Sequence, residues 1–211
     1  MSEGNELAVQ TEATDLSTQV NTQNLLQNTK ALAIVSRIAD RYANSSMVPD
    51  TYKGKPDNCF VAVELASRMD VSPVLVMQNL YIVQGKPSWA GQACKALIDG
   101  CGKFRDSDYV LTGNRGDDSW GCYLQAVRVS TGKLVKGTEV TIQMAKDEGW
   151  YSKNGSKWKT MPEQMLKYRA AAFFARTECP EALMGFQTAE EVEDVRGIEP
   201  EKEIVKISLE G

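Results

Sequence analysis

Histidine is absent from all 211 residues. It is the commonest general base near neutral pH and the commonest transition-metal ligand, so its absence excludes Ser-His-Asp and Cys-His catalysis and every histidine-containing zinc site. There is also no C-x-x-C pair. The five cysteines (Cys59, Cys94, Cys101, Cys122 and Cys179) stand at least seven positions apart, which argues against a structural zinc site. They read as small reduced hydrophobes in the core, with a reactive thiol as the alternative. No apolar run approaches the roughly 20 residues that span a bilayer, so no membrane association is expected. The opening MSEGNELAVQ lacks the basic-then-apolar order of a secretory signal, and the expected compartment is the cytoplasm.

Phosphate cradles are missing as well. The Gly-Lys pairs at 54–55, 85–86, 102–103 and 132–133 are followed by Pro, Pro, Phe and Leu, so none continues as a P-loop. Neither G-x-G-x-x-G after a strand, nor G-x-S-x-G, nor EF-hand spacing occurs, and no cofactor is expected. Asp117-Asp118 falls in a Gly- and Ser-containing turn, where solvation is the ordinary explanation of paired acids. A carboxylate-only magnesium site, and with it a histidine-free nuclease, is the enzymatic alternative.

What is present is a globular composition, 42% hydrophobic, 25% charged and 8% aromatic, at a length suited to one domain with appendages. The charge is unevenly spread. Residues 1–50 hold 3 Lys/Arg against 6 Asp/Glu, residues 51–176 hold 18 against 12, and residues 177–211 hold 3 against 10. Within the basic middle, residues 146–176 carry seven cations (Lys146, Lys153, Lys157, Lys159, Lys167, Arg169, Arg176) interleaved with Trp150, Tyr151, Trp158 and Tyr168. Cations mixed with flat rings suit phosphate backbones and exposed bases, although a lysine-rich loop can equally be a solvated loop.

Along the chain, residues 1–22 are polar and read as a mobile arm. Leu25, Leu32, Ile34, Val35, Ile38, Ala39 and Tyr42 recur at helical spacing and predict a first helix packing that stripe. Asp57 can cap a second helix with Phe60, Val63, Leu65 and Ala66 facing the core, and Ser72-Pro73 can open a third. LYIVQ, Gly85-Lys86 and PSWAG predict a hairpin, followed by a helix over 92–100. Residues 104–136 predict an antiparallel meander with turns at 113–118 and 130–132. Thr141 caps a short helix ending at Gly149, and YSKNGSKWK reads as a basic loop.

Pro162 opens the most informative helix, PEQMLKYRAAAFFARTE, which is apolar nearly all round from Met165 to Ala175 and therefore belongs inside the protein. Arg169 and Arg176, seven residues apart, share one face of it. A buried arginine needs an anion. Either an internal carboxylate such as Glu64, Glu148 or Glu178 supplies it, or both guanidinium groups line a groove and hold successive phosphates. Thr188-Ala-Glu-Glu191 is a capping box that opens a short acidic helix.

The stretch KWKTMPEQMLKYRAAAFFARTECPEALMGFQTAEEVEDV resembles the most recognisable segment of the RecT/Red-beta superfamily of phage single-strand annealing proteins. That segment runs through a tryptophan, a proline, a Met-Leu pair, an alanine-rich helix with basic residues and an acid-rich helix, in this order. YKGKPDNCFVAVELASRMDVSPVLVMQNLYIVQGKPSWAGQACKALI is similar to the upstream part of the same family, and together they cover roughly residues 50–195. The resemblance implies an α+β fold, with a small twisted antiparallel sheet packed against helices, assembling as an oligomeric ring or helical filament. It implies annealing of complementary strands without ATP, and no catalytic residue set. The domain map is then an arm over 1–22, an annealing core over 23–196 and an acidic tail over 197–211.

The partners it implies are single-stranded DNA, the annealed duplex intermediate, further copies of the chain, and a phage exonuclease or host single-strand-binding protein. Matched by position, Trp158, Lys167, Arg169 and Arg176 fall near the family's DNA groove. Lys153, Lys157 and Lys159 of the loop, Lys86 and Trp89 of the hairpin, Lys95 and Arg128 complete the expected contacts. Glu163 and Gln164 depart from the family, which has basic residues after the proline. A protein-interaction module, its basic middle answering the acidic end of a neighbour, is the non-DNA alternative.

Overall fold

The computed structural model describes residues 28–194. The expected arm over 1–22, the acidic tail over 197–211 and the predicted helix position Leu25 lie outside the described residues. The fold is mixed α+β, with small sheets flanked by helices, in agreement with the expected class.

Helix α1 (Thr29–Ala43) starts at Asn28, whose side chain accepts from the amides of Lys30 and Ala31 and so satisfies two of the orphan donors at its N-terminus. Its buried face is Ala31, Val35, Ala39 and Ala43, while Leu32, Ile34 and Ile38 are exposed. The predicted stripe is therefore corrected in part: Val35 and Ala39 are buried against α2 (Pro56–Met69) and Tyr42 packs on the core, as expected, but Leu32, Ile34 and Ile38 turn outward and Ala31 and Ala43 take their place. In α2 the expected Val63, Leu65 and Ala66 are buried with Cys59 and Ala62, and Phe60 packs at the edge. Asp57 sits in the first turn behind Pro56 and is not the cap. Helix α3 (Pro73–Asn79) opens at Ser72-Pro73 as expected.

Strands β1 (Leu80–Val83) and β2 (Lys86–Trp89) form the predicted hairpin, antiparallel with Val83 opposite Lys86. The turn is Gln84-Gly85, one residue earlier than read from the sequence. Both residues have positive φ, 52° and 76°, the backbone that matches strand twist in a two-residue hairpin. Helix α4 (Ala93–Gly100) follows. Strands β3 (Phe104–Thr112), β4 (Gly121–Arg128) and β5 (Leu134–Lys136) make the predicted meander. A short β6 (Val140–Thr141) joins the other end of β4.

Thr141 caps α5 (Ile142–Asp147) by accepting from the Met144 amide at 3.0 Å, as expected. A single helical turn, α6 (Lys157–Thr160), takes the end of the predicted loop and leads into α7 (Pro162–Glu178). After a 3-10 turn over Pro180–Leu183, β7 (Gln187–Thr188) pairs with β2 in parallel, and α8 (Ala189–Asp194) ends the described chain. The single antiparallel sheet of the expectation is thus two sheets, β1-β2-β7 with one parallel pair and the antiparallel β3-β4 sheet with β5 and β6 on its far edge.

Helix α7 separates two cores. Ala171, Ala172, Phe174 and Ala175 join a larger core with α1–α4, Phe104 and Leu124, whereas Met165, Leu166 and Ala170 join a smaller one with Trp120, Ile142, Trp150 and Trp158. Apolar residues around most of its circumference are what a helix buried on two sides requires.

Candidate nucleic-acid interface

An open groove of about 440 Å³ lies on one side of α7. Its walls are the base of the β1-β2 hairpin, the 150–158 loop, the first half of α7 and α8. Of the residues the sequence singled out, the fold brings Arg169, Lys153, Lys157 and Trp158 together here.

The loop is anchored from within. Trp150 and Trp158 pack at 5.7 Å between ring centroids with their planes inclined by 31°, and Phe173 meets Trp150 edge-on at 6.3 Å. Ser156 donates its hydroxyl to the Trp150 carbonyl at 2.7 Å, and the Tyr151 amide reaches the Ala145 carbonyl at 2.9 Å. Both tryptophans are buried, so they hold the loop's shape and offer a ligand only their margins. Arg169 is 5% exposed. Its guanidinium lies 4.0 Å from the Trp150 ring centroid, a cation–π contact that fixes the planar fork at the groove floor. Exposed ring surface comes from Tyr81 and Tyr168, both half-buried and lining the groove.

Acidic groups also line it. Glu190 and Glu193 of α8 face the groove, and Lys153 donates to the Glu193 carbonyl at 3.0 Å. Glu190 is seated against Gly91, whose amide it accepts at 3.3 Å. A Cβ at Gly91 would come within 2.9 Å of that carboxylate, so glycine is what permits the approach.

Arg176 turns away from the groove. Its Nε donates to Glu191 Oε1 at 2.8 Å and a terminal nitrogen to Oε2, a bidentate pair. The same carboxylate accepts from the Thr188 amide at 2.8 Å and hydroxyl at 3.0 Å, completing the predicted capping box. Burial pushes the Glu191 carboxyl up, but the hydrogen bonds from Arg176 and Thr188 and the guanidinium charge outweigh it and hold it below the usual carboxylate range. The internal carboxylate is thus Glu191. Glu64 pairs with Arg68, and Glu178 with Arg128.

Other expected contacts lie elsewhere. Trp89 is fully buried and donates its indole N–H to the Leu183 carbonyl at 3.0 Å, so it presents no surface to a strand. Lys167 pairs with Glu163 at 2.8 Å, so its charge is already answered within α7. Lys95 donates to Asp99 and Ser107, each at 2.6 Å. Arg128 pairs with Glu178 at 2.5 Å and covers the Phe104 ring. Lys86, at the hairpin turn, and Lys159, on α6, are exposed, form no ion pair among the described residues and stand outside the groove lining.

Sequence reasoning passed over Tyr81, Gly91 and Glu190. Two signals marked the first two of them: the tyrosine within LYIVQ, and the glycine that ends PSWAG. The acid pair Asp117-Asp118 is engaged in local structure: Asp117 accepts from the Ser119 amide and hydroxyl, and Asp118 pairs with Lys146. No helix among the described residues is long and apolar enough to cross a membrane. The cysteines are free, and all but half-buried Cys101 are buried. No family model, no curated protein and no solved structure matches the chain.

Proposed function

We propose that this chain binds single-stranded DNA and anneals complementary strands without ATP, as an oligomer, in the manner of the RecT/Red-beta superfamily it resembles in sequence. The observation that carries this reading is the groove in which Lys153 and Lys157 stand beside Tyr81 and Tyr168, with Arg169 buried against Trp150 in its lining. Cations next to ring faces suit a strand held by its phosphates with bases exposed for pairing. Lys86 and Lys159 are further exposed cations outside the groove. Assembly as a ring or helical filament, and recruitment of an exonuclease or host single-strand-binding protein, complete the proposal.

The test is annealing of two dye-labelled complementary oligonucleotides without nucleotide, with a gel of the products and a salt titration. Faster duplex formation from intact strands, weakening as salt rises because phosphate neutralisation releases counterions, supports the reading. Magnesium-dependent shortening of the strands would replace it with a nuclease. Absence of binding would replace it with a protein-interaction module.

A further inference from the structure

The two walls of the groove differ in charge. Lys153, Lys157 and Arg169 belong to the loop and α7, whereas Glu190 and Glu193, nearly one turn apart, belong to α8. A carboxylate repels a phosphate, so a strand in this groove turns its backbone to the cations and its base edges to α8. Glu190 is already half committed: Oε1 accepts the Gly91 amide, whereas Oε2 is buried and has no donor among the described residues. Buried acceptors without donors are rare and costly. The recess beside it, lined by Tyr168, Thr188 and Arg169, measures about 10 Å³, at the lower limit for one water. The recess is too small for a base, so a donor in the groove meets this carboxylate only when the flexible side chain turns the oxygen outward.

We propose that Glu190 reads base edges by accepting a hydrogen bond from an exocyclic amine, so that the groove prefers amine-bearing bases to thymine. This rests on the single-stranded DNA reading above. Cytosine N4 is the amine a glutamate accepts best, while thymine puts a carbonyl oxygen at the same place. Cytosine and thymine have the same ring size, so stacking on Tyr81 or Tyr168 separates them little.

The experiment is fluorescence anisotropy with labelled oligo-dC and oligo-dT of equal length, at neutral pH and one salt concentration. The proteins are the full chain, Glu190→Ala and Glu190→Gln, each checked by thermal melting. The full chain binds oligo-dC about tenfold more tightly, the factor equivalent to roughly 1.4 kcal/mol. Glu190→Ala binds both alike. Glu190→Gln, whose amide both accepts and donates, also loses most of the preference while keeping the bond to Gly91. Equal binding by the full chain overturns the inference and leaves the DNA reading standing. So does a preference that survives Glu190→Ala, or a substitution that tightens both polymers equally, which would make the carboxylate merely repulsive. Binding of neither polymer overturns the DNA reading itself.

Discussion

Replacing Arg176 by Met separates a structural clamp from a phosphate contact. Arg176 is 35% exposed and Glu191 12% exposed, so the substitution strands a largely buried carboxylate. Removing one member of a fully buried pair costs about 3–5 kcal/mol. Here Glu191 keeps its two bonds from Thr188 and the methionine stem still covers the helix, which lowers the expected cost to about 2 kcal/mol. In a domain of this size that lowers Tm by roughly 4–8 °C. Glu191→Gln loses a similar amount, and the double variant loses less than the two together, because the charges are removed as a pair.

The pH dependence has a definite sign. The Glu191 carboxyl is held below its ordinary value, so its contribution is complete above the unfolded carboxylate pKa and is lost as pH falls through the lower folded value. The gap in Tm between wild type and Arg176→Met therefore narrows in acid. Single-stranded DNA affinity of Arg176→Met stays close to that of wild type. Unchanged melting together with a collapse of DNA binding would refute the clamp and return Arg176 to the phosphates.

Lys157→Ala lowers the slope of log affinity against log salt by about 0.7, whereas Lys95→Ala, whose ammonium is spent on Asp99 and Ser107, leaves the slope unchanged in the same anisotropy titration. Gly137→Ala destabilises the fold by about 1–3 kcal/mol in urea denaturation, because its Cβ would come within 2.9 Å of Phe174 and 3.1 Å of the Leu124 carbonyl. Alkylation of the native protein followed by mass spectrometry labels Cys101 first. Cys94 and Cys179 are buried and their thiols are pushed up to about 12, chiefly by that burial, which leaves little thiolate at neutral pH.

Local signals in the sequence carried through where one segment decides its own conformation. The hairpin, the meander, the Thr141 cap, the Thr188–Glu191 capping box and the buried character of the Pro162 helix were all legible, because turn residues, caps and apolar periodicity act within a few positions. Pairings between distant segments were not. Two-residue strands such as β6 and β7 have no periodicity to read, and their existence depends on edges supplied by β4 and β2. In α1 the larger side chains dominate any hydrophobic pattern, yet close packing selected the alanines.

The candidate site shows the same division. Cations and rings in the 150–169 region marked the groove, but which ring faces outward is decided by the second core, which encloses Trp150 and Trp158 and keeps Tyr168 half-buried at its edge. The capping box was visible; that its glutamate also receives Arg176 depends on how β7 places α8 against α7.

The position of α7 has a bearing on the order in which the molecule can be made. Residues 162–178 leave the ribosome after nearly everything they cover, so Leu124 waits for Phe174 and Trp120 waits for Leu166. Until then both cores lack their shared wall, and the nascent chain carries open apolar surfaces and unfilled strand edges, the state in which chains aggregate or need chaperones. Synthesis that stalls before Pro162 leaves two unfinished cores at once.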